Sequence, residues 1–120
     1  MRENKSTNPE LIELIRSLKK QSREKDAKIW LYVAENLAKS RRQRISVNLS
    51  TISRHTERND TAIIPGKVLG TGILTHPITI AAFNLSEKAE EKLRAAKATY
   101  LSIPELMKKN PTGSNVKIIR

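Results

Sequence analysis

The chain has 120 residues, 38% of them apolar, and carries 23 Lys and Arg against 12 Asp and Glu, a formal net charge of +11. That length can bury one modest core unaided, and the absence of Cys excludes both a disulfide framework and a Cys-based zinc site. The charge excess points to a polyanionic partner, nucleic acid ahead of a membrane surface, since no apolar run approaches the roughly 18 residues of a spanning helix.

Residues 1–7 read as a short flexible basic arm, and residues 8–120 as a single domain. The arm lacks the apolar core of a signal peptide, so the cytoplasm is the expected compartment. Asn8-Pro9-Glu10 is a helix start: Asn at the N-cap, Pro at the first helical position, Glu complementing the dipole. Leu11, Leu14, Ile15 and Leu18 then follow the spacing of an apolar helical face. The polar run Lys19 to Lys25 is expected to end that helix. Asp26 stands where it can cap a second one, in which Trp30, Val33, Ala34 and Leu37 repeat the spacing.

Beyond residue 44 the period changes. Ile45, Val47 and Leu49 alternate with Ser46, Asn48 and Ser50, a short strand with one buried face, and Ser50 to His55 predicts a helical turn. Thr61 to Ile64 predicts a brief strand closed by the turn dipeptide Pro65-Gly66. Gly70 and Gly72 indicate bends or close backbone approach. Ile78 to Phe83 is nearly all apolar and predicts a central strand covered on both faces. Ser86 caps an acidic-first helix, and Tyr100-Leu101 makes one more strand pair. Ser102 with Glu105 fits a capping box for a last helix. Asn110 to Gly113 ends it, and Val116 to Ile119 forms a final strand. Short strands among helices make an α/β domain.

The chemistry concentrates in an acid-free stretch, Asn36 to Thr56, that contains Lys39, Arg41, Arg42, Arg44 and Arg54. A solvated loop rarely excludes every acid for so long, so phosphate contact is the favoured reading. Gly66-Lys67 is not a nucleotide-binding loop, because Thr61 and Val68 occupy positions that need Gly and Ser or Thr. Gly70-Thr71-Gly72 is too short for a dinucleotide fingerprint, with Thr75 where a third Gly belongs. A glycine loop beside a lysine either brings backbone N–H groups to phosphate or simply joins two strands. His55 and His76 show no metal-ligand spacing and no local catalytic partner, so no enzymatic activity, metal or cofactor is expected. With one Trp, two Tyr and one Phe in the chain, base stacking gives way to recognition by shape and charge.

Six segments in order also resemble a known family: TNPELIELI (7–15), KIWLYVAENL (28–37), SRRQRISVNLSTISR (40–54), IIPGKVLGTGIL (63–74), ITIAAFNLS (78–86) and NPTGSNVKIIR (110–120). They are similar to the archaeal and eukaryotic large-subunit ribosomal protein eighteen-e family, which is related to the C-terminal part of bacterial large-subunit protein fifteen. The resemblance implies irregular β-β-α units with short strands, preceded by two N-terminal helices. It implies that residues 8–120 bind large-subunit ribosomal RNA beside neighbouring large-subunit proteins, with no small-molecule substrate. By motif match, Arg41, Arg42, Arg44, Asn48 and Lys67 would face RNA. The chain's compactness resembles archaeal members. Charge alone also admits a free regulatory or chromatin-like nucleic-acid binder.

Overall fold

In the computed structural model, residues 9–39 and 45–120 are described. The arm and the Asn8 cap lie outside them. Two helices come first, α1 (Pro9–Lys25) and α2 (Lys28–Leu37). The α1 helix runs straight through the polar stretch expected to end it. Lys, Gln, Arg and Glu are good helix formers, so polarity alone does not stop a helix. The stop is Asp26, which adopts the left-handed conformation at φ 51. The Ala27 N–H then reaches back to the Ser22 carbonyl at 3.0 Å, a Schellman closure. Asp26 therefore closes α1 and does not cap α2, whose N-cap is Ala27, without a side-chain bond.

The remaining elements are β1 (Ile45–Asn48), α3 (Leu49–His55), β2 (Thr61–Leu69), β3 (Thr79–Leu85), α4 (Glu87–Ala95), β4 (Thr99–Leu101), α5 (Ile103–Lys109) and β5 (Val116–Ile118). This is the expected class, short strands mixed with helices behind two N-terminal helices. The strands form one sheet in the order β1-β2-β3-β4, with β5 joined to β2, and every pairing is parallel. Because β3 lines one edge of β2 almost end to end, β5 and β1 divide the other edge. Strand β5 takes Thr61 to Ile63, and β1 takes Gly66 to Leu69.

Pro65-Gly66 does not turn the chain. Both residues are buried within β2, where the pairing with β3 shifts register. Proline, with no N–H to give a regular ladder, is tolerated at such an irregular step. Gly66 is there because a Cβ would overlap the Ile45 carbonyl oxygen and lie 2.8 Å from its carbon. The dipeptide lets β1 approach closely.

Each face of the sheet packs into its own core. Ala62, Ile64, Val68, Ile80 and Ala82 join Ile52 of α3 and Leu93 of α4. Ile63 and Ala81, pointing the other way, join Leu11 and Leu18 of α1, Trp30 and Leu37 of α2, and Ile103 and Leu106 of α5. Such two-sided burial is why the parallel strands read as continuous apolar runs. Leu18, Leu37, Ile63, Ile64 and Ile80 are fully buried, each contributing about 1.5–3 kcal/mol relative to exposure. The indole Nε1 of buried Trp30 donates to the Pro111 carbonyl at 2.7 Å, tying α2 to the segment after α5. The expected caps are in place. Ser86 Oγ accepts from the Ala89 N–H at 3.1 Å, and Ser102 with Glu105 closes both arms of its capping box.

Candidate nucleic-acid interface

In open α/β sheets, ligands bind at the carboxyl ends of the strands, and two of the expected site residues, Asn48 and Lys67, lie at or near that end of this one. Lys67 is exposed in the last turn of pairing of β2, opposite Ser46 of β1 and Asn84 of β3. Asn48 ends β1 and is also the N-cap residue of α3, yet its side chain makes no cap bond. Its amide is thus not committed to the helix. Arg54 is exposed on α3, with Nη2 a long 3.5 Å from Thr51 Oγ1, too long for a strong bond. Lys39 is exposed just past α2. Arg41, Arg42 and Arg44 lie outside the described residues, in the segment 40–44 that connects Lys39 to the first residue of β1.

Charge is distributed along β2 in a consistent direction. Asp60 stands immediately before the strand and pairs with Lys117 of β5 at 2.8 Å. That hydrogen bond, helped by the Glu57 backbone N–H, holds the Asp60 carboxyl below the usual carboxylate range. The acid at the amino end is therefore neutralised locally. Neither Lys67, near the carboxyl end of β2, nor Arg54, in the last turn of α3, takes part in an ion pair among the described residues.

The glycine loop after β2 answers to packing. Lys92 of α4 donates to the carbonyls of Gly70 and Gly72, both at 2.7 Å. A Cβ on Gly70 would meet Lys88 Cβ at 2.7 Å, and Gly72 has φ 89. Lys92 is thus a cation drawn inward, which a count of basic residues cannot reveal. His76 is similarly occupied: Nδ1 lies 2.9 Å from Thr75 Oγ1 and Nε2 2.8 Å from Thr56 Oγ1. Thr56 already gives its proton to the Ile52 carbonyl, so it accepts from a protonated Nε2. The ring staples the loop to α3. Among the described residues no group of His, Asp or Glu could hold a metal ion, and no helix is long and apolar enough to cross a membrane.

The sequence reading missed the row in which Lys67 stands. Ser46, Lys67 and Asn84 are register partners on three strands and all are exposed, whereas the next row, Val47, Val68 and Leu85, packs into the core. Only strand register brings these residues together, and no local pattern signals it.

Comparison with known proteins accounts for the whole chain. Residues 1–120 match the family described as ribosomal protein 60S L18 and 50S L18e. The large ribosomal subunit protein eL18 of Methanoregula boonei is 48% identical over 114 residues, 95% of this chain and 94% of that protein. The protein of the same name from Methanococcus maripaludis is 45% identical over 119 residues, 99% of both chains. That from Archaeoglobus fulgidus is 43% identical over 115 residues, covering 96% and 98%. The family match and the full-length coverage of its relatives agree: the chain belongs to the ribosomal protein 60S L18 and 50S L18e family, a family of large-subunit ribosomal proteins and not of enzymes.

Proposed function

We propose that the chain is a structural constituent of the large ribosomal subunit that binds and stabilises large-subunit ribosomal RNA and so supports translation. Its contacts are Lys39, Arg41, Arg42, Arg44, Asn48, Arg54 and Lys67. The supporting observation is the exposure of Lys67 and Arg54, without acidic partners among the described residues, beside a strand that continues the arginine block. The two cores supply no chemistry of their own. They hold β1, β2 and α3 in fixed register, so cations mounted on them meet phosphates without further ordering. Arginine adds bidentate geometry that lysine cannot copy. Each neutralised phosphate releases counterions, so affinity falls steeply with salt. In an archaeal cell this places the chain in the cytoplasm, within the ribosome, beside neighbouring large-subunit proteins.

The test is the salt dependence of binding to large-subunit ribosomal RNA by the full chain and by an Arg41→Ala, Arg42→Ala variant. The slope should fall by roughly one unit per lost phosphate contact. An unchanged slope with unchanged affinity contradicts the assignment of these arginines.

A further inference from the structure

We propose that the RNA interface extends onto the open face of the sheet, where Ser46 and Asn84 flank Lys67 as uncharged contacts to the sugar-phosphate backbone. This rests on the ribosomal-RNA reading above and names residues outside the basic block. The register is the first support: Ser46 pairs with Lys67, and Lys67 with Asn84. At a strand spacing of about 4.8 Å, the row runs roughly 10 Å across the sheet with its single cation in the centre.

Side-chain hydrogen-bonding capacity is the second support. Asn84 Oδ1 accepts from the Leu85 N–H at 3.1 Å, which leaves its amide N–H groups free to donate. The Ser46 hydroxyl makes no hydrogen bond among the described residues, and Lys67 no ion pair. The third is mounting. Val47, Val68 and Leu85, the next row, anchor all three strands in the core, so the exposed row sits on a rigid support. Lower on the sheet, Ile63 and Ala81 are covered by the helices. The face opens only beyond Pro65-Gly66, where the register shifts.

An RNA backbone fits this row better than bases or a protein. One cation among hydroxyl and amide donors matches phosphate oxygens and the ribose 2′-hydroxyl. No aromatic side chain stands in the row to stack on a base. A protein partner would have to present acceptors in series along the whole row, which a repeating sugar-phosphate backbone supplies by its covalent structure.

The charge of each contact gives a distinguishing test, because uncharged contacts displace no counterions. In the full chain, Ser46→Ala and Asn84→Ala should each weaken binding to large-subunit ribosomal RNA about 2- to 12-fold, with the salt slope unchanged. Lys67→Gln should weaken binding and lower the slope by roughly one unit. Urea midpoints of the exposed-site variants report folding separately. Wild-type affinity in the Ser46→Ala, Asn84→Ala double variant, with the Arg41→Ala, Arg42→Ala variant still weakened, overturns this inference and spares the ribosomal-RNA reading. A lowered slope in either single alanine variant also overturns it. Failure of the unaltered chain to bind that RNA overturns both.

Discussion

Replacing Gly66 with alanine should prise β1 off the sheet. The new Cβ would overlap the Ile45 carbonyl oxygen and stand 2.8 Å from its carbon, where carbon atoms ordinarily approach to about 3.5–4.0 Å. Relief requires β1 to recede by about 1 Å, which stretches a ladder hydrogen bond of about 2.9 Å beyond useful length. The strand is joined through Ile45–Gly66, Ser46–Lys67, Val47–Val68 and Asn48–Leu69, so the clash falls at its first rung. Losing one or two ladder bonds costs about 1–3 kcal/mol, and residual overpacking adds about 1–3 kcal/mol. A total of roughly 2–6 kcal/mol should lower the urea midpoint by about 1–3 M. Affinity for ribosomal RNA should fall as well, since Ser46 and Asn48 move with β1. Ile45→Ala should not rescue the variant, because the obstruction is backbone. A wild-type midpoint with wild-type RNA affinity would refute the close-approach account of Gly66.

Trp30→Phe keeps most of the buried ring but removes the bond to Pro111, whose carbonyl still accepts from Gln21 Nε2 at 3.1 Å. A loss of about 1–2 kcal/mol is expected by urea unfolding, against about 3–5 kcal/mol for Trp30→Ala; equal losses would show that packing contributes little. Lys92→Met removes two charge-assisted bonds to loop carbonyls and should destabilise by about 2–4 kcal/mol. Its RNA salt slope should not change, and a lower slope would mean that Lys92 reaches phosphate after all. The Asp60 carboxyl is held below its ordinary value by Lys117. Its stabilisation is therefore complete above the ordinary aspartate value and is lost as pH falls through the lowered one. Lys117→Ala should move the Asp60 titration, followed by NMR, back up toward the ordinary value; an unmoved titration would sink the pair.

Much of the architecture was legible because its causes are local. The apolar spacing of Leu11 to Leu18 and of Trp30 to Leu37, the caps at Ser86 and Ser102, and the alternation from Ile45 each depend on neighbours in the chain. What failed was decided elsewhere in space. Pro65-Gly66 has the composition of a turn, yet Gly66 answers to the Ile45 backbone on another strand. The polar end of α1 persists as Gln21 reaches the Met107 and Pro111 carbonyls, partners far along the chain. For the interface, charge composition singled out Lys67 and Arg54, both exposed. It could not separate them from Lys92, which two carbonyls draw inward, nor find Ser46 and Asn84, which only register joins to Lys67.

The central claim is residence on the large subunit through its RNA, and sedimentation of a native lysate through a sucrose gradient tests it most directly. Detected by antibody, the chain should migrate with the large subunit and stay there in high salt, with none at the top of the gradient. A substantial free pool at the top, binding duplex DNA in preference to ribosomal RNA, would contradict the account and identify a free nucleic-acid binder instead.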